Sequence, residues 1–187
     1  MSNIFLISDT HFGHGNILTF TDSEGKRLRP FDTVEEMDEL MVKNWNSVVR
    51  PQDKVYHLGD VVMHKRALPI LSRLNGEKVL IKGNHDKEKL SLYTPYFKDV
   101  RGTHQFDGMI LSHIPIHSNS LARWGCNVHG HLHSNVVTKE GWGEGEYGGP
   151  ILKQIPDDRY FCVSVEQINY TPISLEELKL KIKEKQS

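Results

Sequence analysis

Seven side chains of this 187-residue chain carry donor atoms suited to a hard or borderline cation: Asp9, His11, Asp60, Asn84, His113, His131 and His133. All offer oxygen or imidazole nitrogen, with no thiolate among them, and they follow apolar runs that read as strands. Asp9 and His11 stand two residues apart, as do His131 and His133, and residues at that spacing in extended chain project to one side. Seven ligands exceed the four of a tetrahedral zinc site. Two adjacent divalent ions sharing one carboxylate would use them all, and ions about 3.5 to 4 Å apart serve in-line cleavage of phosphate esters. Within Gly83-Asn84-His85-Asp86, His85 adds an imidazole able to act as acid or base near neutral pH, and Asp86 a carboxylate able to orient it. The eleven histidines are an unusual number for this length, and they cluster beside glycine and aspartate.

The elements that must position these groups follow from the apolar pattern. Residues 4–7, 54–58, 78–82, 109–111 and 161–165 read as buried strands, most of them ending in a polar or glycine-bearing turn. In α/β proteins the carboxyl ends of such strands are where sites are built. Thr33 with Glu36 forms a capping box, opening a helix whose Met37, Leu40, Met41, Trp45 and Val48 share a core-facing stripe. A short amphipathic helix is expected over 66–74 with Pro69 in its first turn, a weaker one over 87–92, and a final one capped by Ser174 and Glu177 that carries Leu175, Leu178 and Ile182. Residues 14–32 read as a long loop over the first ligand turn. The glycine-rich stretch 141–150 is expected to be an irregular, mobile loop beside the last histidine pair, with a lid as the functional alternative. His57, one step inside its strand, reads as a core histidine. Alternating strands and helices predict parallel strands with crossover helices.

Composition bounds the partners. A hydrophobic fraction of 37%, a charged fraction of 25% and a net charge of -1 describe an ordinary globular chain, read as one domain over 1–187, without the basic excess of a nucleic-acid binder. No stretch is long and apolar enough for a bilayer, and the start lacks the basic lead of a signal peptide. Cys126 and Cys162 sit in apolar segments and read as reduced core thiols, which fits a cytoplasmic location.

Asp9-x-His11, Gly59-Asp60, Gly83-Asn84-His85-Asp86, His113 and Gly130-His131-x-His133 together resemble the ordered motifs of the calcineurin-like metallophosphoesterase superfamily. Arg29-Pro30-Phe31-Asp32, followed by Asn44-Trp45-Asn46-Ser47, is similar to its small bacterial and bacteriophage members. The resemblance implies an α/β fold of four layers, an αββα sandwich of two mixed sheets flanked by helices. It implies that Asp9, His11 and His133 hold one ion and Asn84, His113 and His131 the other, with Asp60 bridging. Mn2+ is favoured over Fe, Zn, Co or Ni. It also implies that a bridging hydroxide attacks the phosphoryl group while His85, oriented by Asp86, protonates the leaving oxygen or stabilises charge. His14, His117 and Arg123 are the candidate substrate contacts. A small phosphate diester, nucleotide-derived or otherwise, is the expected substrate; a phosphomonoesterase, a nuclease and a non-catalytic binding module are the alternatives.

Overall fold

The strands of this protein are apolar at consecutive positions because both of their faces are covered, and the layers on either side are set by that alternation. The computed structural model describes residues 2–22, 24–146 and 148–186. The first half of the chain runs β1 (Ile4–Ile7), a 3-10 helix (Gly15–Thr19), α1 (Val34–Val48), β2 (Lys54–His57), a second 3-10 helix (Lys65–Arg73), β3 (Glu77–Ile81) and α2 (Leu90–Tyr93). The second half runs β4 (Asp99–Arg101), β5 (Thr103–Phe106), β6 (Met109–Ser112), a third 3-10 helix (Ser118–Arg123), β7 (Cys126–His129), β8 (Thr138–Glu144), β9 (Pro150–Pro156), β10 (Tyr160–Cys162), β11 (Ile173–Ser174) and α3 (Leu175–Gln186).

Two mixed sheets result. The first has the order β11-β1-β2-β3-β4, with β1 to β4 mutually parallel and β11 antiparallel to β1. The second has the order β10-β7-β6-β5, parallel except for β5. Phe5, Ile7, Val55 and Leu80 turn from the first sheet towards α1, where Met37, Met41 and Trp45 meet them. Leu6, Tyr56, Val79 and Ile81 turn the other way and pack against Met109, Leu111, Val128 and Phe161 of the second sheet. Leu178 of α3 joins that inter-sheet layer. The outer face of the second sheet carries Ile110 and Tyr160 beneath Leu121 of the third 3-10 helix. The architecture is the expected αββα sandwich, with a single short 3-10 segment as much of its fourth layer. No helix among the described residues is long and apolar enough to cross a membrane, and Cys126 and Cys162 are free thiols.

Thr33 caps α1 as its sequence predicts, its hydroxyl accepting from the Glu36 amide at 3.1 Å. Other expectations need correction. The 66–74 helix is 3-10 and holds Pro69 in its interior, because a 3-10 turn accommodates the missing N–H of proline more readily than an α-helix of that length. The 87–92 helix is only the one turn of α2. The long loop contains a 3-10 helix, and the passage after Pro95 forms β4 and β5.

The glycine-rich 141–150 stretch is not an irregular loop. Half of it, 141–144 and 150, is strand in the β8–β9 hairpin, paired from Thr138 with Pro156 to Glu144 with Pro150; Tyr147, in the connection, lies outside the described residues. Gly141 and Gly143 lie on one face, and the side chains of Ile155 and Lys153 cross over them from β9. A Cβ at Gly141 would stand 2.3 Å from Ile155 Cδ1, and one at Gly143 2.1 Å from Lys153 Cε. The glycines make room for the opposite strand, so the pattern that reads as loop in sequence is a packing pattern in the hairpin.

Candidate metal centre

The two sheets touch just past the ends of β1 and β10, and this is where the motif residues meet. The Ser8 amide donates to the Val163 carbonyl at 2.9 Å, and the Val165 amide to Ser8 at 3.1 Å. Beyond β1 the chain stays zipped to the extension of β2: the Asp9 amide donates to Gly59, His11 to Asp60 and Phe12 to Val61, each at 3.0 Å. His57, stacked on Trp45, accepts from the Gly59 amide through Nδ1 and faces the Thr10 hydroxyl through Nε2 at 3.0 Å. One buried neutral imidazole thus braces both carboxylate-bearing turns. Burial pulls its pKa down to about 3.

The paired ligands do not project from extended chain as their spacing suggests. Asp9 (φ 58°), His11 (φ 48°), Asp60 (φ 55°), His131 (φ 69°) and His133 (φ 53°) are all in the left-handed region, which non-glycine residues occupy only when surroundings hold them there. The chain turns at each of these five residues, and Thr10 and Leu132 lie between the turned pairs. Gly130 serves by its small size: a Cβ there would lie 1.9 Å from Ser8 Oγ and 2.4 Å from Asp9 Oδ2. His131, not Gly130, takes the left-handed conformation.

Asp9, His11, Asp60 and His113 are all buried, while His131 and His133 are partly open. Asp9 Oδ2 accepts from the His131 amide at 2.9 Å and from the Ser164 hydroxyl at 2.8 Å. Its Oδ1 has no hydrogen-bond partner, nor has either nitrogen of His11, and Oδ1 stands 3.9 Å from His11 Nε2. Asp60 Oδ2 lies between two imidazoles, 3.6 Å from His11 Nε2 and 3.3 Å from His113 Nε2. His113 donates Nδ1–H to the Leu58 carbonyl at 2.8 Å, which turns Nε2 towards Asn84 Oδ1, also 2.8 Å away. The His131 ring packs edge-on against that of His113.

Burial drives the His11 pKa well below the ordinary value, and the charge of Arg29 adds to the effect. Burial also lowers His131. For Asp60, burial pushes the pKa up but is outweighed by the hydrogen bond and charge of His113 and by the His85 amide, so that it falls to about 2. At His113 and His133 burial is outweighed by the carboxylates of Asp60 and Glu166, so that both are raised; anionic carboxylate and neutral imidazole are the states in which all these groups ligate metal.

Two groups of donor atoms lie within 4.8 Å of one another: Asp9, His11 and His133, and Asp9, Asp60 and His113. Buried donors without partners are costly unless something completes them. The orphaned Asp9 Oδ1 and His11 nitrogens therefore fit a cation, and the oxygen–imidazole donor set suits a divalent transition metal. The model of the family described as calcineurin-like phosphoesterase matches residues 2–178. The chain belongs to that family. It is similar to an uncharacterized protein of Methanocaldococcus jannaschii, 40% identical over 94% of this chain and 89% of that one. It also resembles the gene 66 protein of Mycobacterium phage L5, 40% identical over 46% of this chain and 41% of the phage protein. Among solved structures it is similar to a protein of unknown function from Aquifex aeolicus, with a TM-score of 0.68 and 27% identity over 96% of this chain and 99% of that one.

In this phosphoesterase His85 and His14 flank the cluster, their rings 5.5 and 5.6 Å from that of His11. Each has an Nδ1 without a hydrogen-bond partner. Asp86 does not orient His85 as the sequence suggests. Its carboxylate accepts from the amides of Asp60 and Gly83 at 2.8 Å and of Val61 at 3.0 Å, tying the second and third ligand turns together. His85 is placed instead through its main chain, donating to Asp60 Oδ1 at 2.8 Å. His117 caps the third 3-10 helix, its Nδ1 accepting from the Asn119 amide, and Arg123 is exposed in the last turn of that helix. The structure gives neither a contact with the cluster.

Sequence reasoning passed over Arg29 and Glu166. Arg29 is fully buried and donates to the carbonyls of Asp9 and Thr10 and to Glu166, which in turn meets His133. Arg29 was visible as part of a quoted motif without a role. Glu166 had only its position just after the closing strand, the kind of place that the ligands occupy in theirs.

Proposed function

We propose that this protein is a two-metal hydrolase of phosphate esters that prefers small diesters. The observation that carries the proposal is the buried cluster in which Asp60 Oδ2 lies between His11 and His113 while Asp9 Oδ1 and the His11 nitrogens lack partners. Asp9, His11 and His133 would hold one ion, Asn84, His113 and His131 the other, and Asp60 both. Bound there, divalent ions supply an activated water and neutralise charge on the phosphoryl oxygens. The protein's own groups do the rest. The His85 amide fixes Asp60, and the imidazoles of His85 and His14, each with an unpartnered Nδ1, stand beside the cluster, where His85 can deliver a proton to the leaving alkoxide. The cation acting on both His11 and His14 is Arg29, which is buried and already committed to carbonyls and Glu166. Arg29, committed in this way, is not free to meet a second substrate charge, which supports a diester over a dianionic monoester.

The test is turnover of bis-nitrophenyl phosphate against nitrophenyl phosphate with Mn2+, Fe2+, Zn2+, Co2+ or Ni2+ added in turn, beside metal analysis of the wild type and Asp60→Ala. We expect two ions in the wild type, both lost in Asp60→Ala, and faster turnover of the diester. A preference for the monoester overturns the diester assignment, and a single ion at saturation overturns the two-metal site.

A further inference from the structure

We infer that Glu166, held by Arg29, is a positioning residue for the Asp9–His11–His133 half of the site. The inference rests on the proposed two-metal reading. His133 Nδ1 and Glu166 Oε1 are 3.0 Å apart, and Arg29 Nε donates to that same oxygen at 2.7 Å. The Glu166 side chain is only 5% exposed, and that of Arg29 is fully buried. A carboxylate accepts, so His133 must carry its proton on Nδ1, which leaves Nε2 as the free lone pair. The ring then stacks on that of His11 at 5.4 Å. The remaining guanidinium nitrogens of Arg29 hold the carbonyls of Asp9 and Thr10. One Arg–Glu pair therefore fastens together two stretches of chain more than a hundred residues apart that must present ligands to a single ion.

Charge gives Glu166 a second task. Arg29 lies beneath a site built for cations, and without a countercharge it would repel an ion held by Asp9 and His11. Glu166 cancels that charge while orienting His133. A neutral acceptor would lose the countercharge and hold the His133 ring less firmly.

The test is Mn2+ titration by calorimetry of wild type, Glu166→Gln, His133→Ala and the double variant, with the melting temperature of the metal-free proteins as the measure of folding. For Glu166→Gln we expect one of the two ions to bind about 10- to 100-fold more weakly, the range for loss of a group supporting a ligand. The other ion should stay within about twofold. In the His133→Ala background the Glu166 change should add less than it does alone, losing the part that passes through that ring and keeping the part that comes from the countercharge to Arg29. Equal weakening of both ions, unchanged binding, or fully additive losses would each overturn the inference. Should Glu166→Gln fail to fold, Glu166→Asp, which keeps the countercharge but draws the carboxylate away from His133, reads the same ion. A wild type that binds no Mn2+ would instead refute the two-metal reading itself.

Discussion

The His85 amide donates to the Asp60 carboxylate, yet the two side chains are asked to do different things, and substitutions separate them. His85→Ala removes an imidazole that holds no ligand position, so both ions should stay while turnover falls roughly 10²- to 10⁴-fold, the range for a general acid or electrostatic donor. The loss should be greater for an alkyl ester than for a nitrophenyl ester, whose leaving group needs little protonation; comparing the two substrates in wild type and variant decides it. Loss of an ion in His85→Ala would mean that the ring is a ligand. At this scale the sequence was informative because ligand chemistry is written in residue type: an Asp–x–His or a His–x–His says little alone, but several such clusters in order at strand ends point to one site. The supporting groups were not legible. Asp86, Arg29 and Glu166 act by hydrogen bonds to main chain and to other side chains, and nothing in their local sequence says which backbone atoms the fold will bring to them.

The elements were legible where one physical demand dominates. The doubly buried strands and the capped helix α1 follow from apolar runs and from Thr33 with Glu36. Elements were missed where the demand comes from a partner strand, as in β5, whose polar Thr-His-Gln is stabilised by pairing with β6, and in the hairpin, whose glycines admit Ile155 and Lys153. Close approach of turns matters most at Gly130. Gly130→Ala would force its methyl into Ser8 and Asp9, and we expect a stability loss of roughly 1 to 3 kcal/mol, as for overpacking, together with weakened Mn2+ binding because Asp9 must shift. Gly102→Ala is the control, since its Cβ would meet nothing within 4 Å, and it should change urea stability by less than about 0.5 kcal/mol.

Across the whole molecule, the same burial that readies the site makes the metal-free protein sensitive to acid. The folded pKa of His57 is about 3, against about 6.5 in the unfolded chain. Between those values only the unfolded state takes up the proton, so this contribution is complete above pH 6.5 and is lost as pH falls towards 3. Urea midpoints of the chelated protein should drop over that interval, and His57→Gln should show a shallower decline; parallel curves would count against His57 as a source. A different consequence follows from the way the ligands are divided. Asp9, His11 and Asp60 follow strands of the first sheet, whereas His113, His131 and His133 follow strands of the second, so each donor group needs both sheets. Neither sheet alone completes either donor group, so an ion gains its full set of ligands only after the sheets have docked. Mn2+ should accordingly leave the refolding rate unchanged and slow unfolding by the full factor of its stabilisation, shifting one arm of the chevron plot only. Metal here would set how long the folded protein lasts, and chelation would shorten its lifetime without impeding its formation.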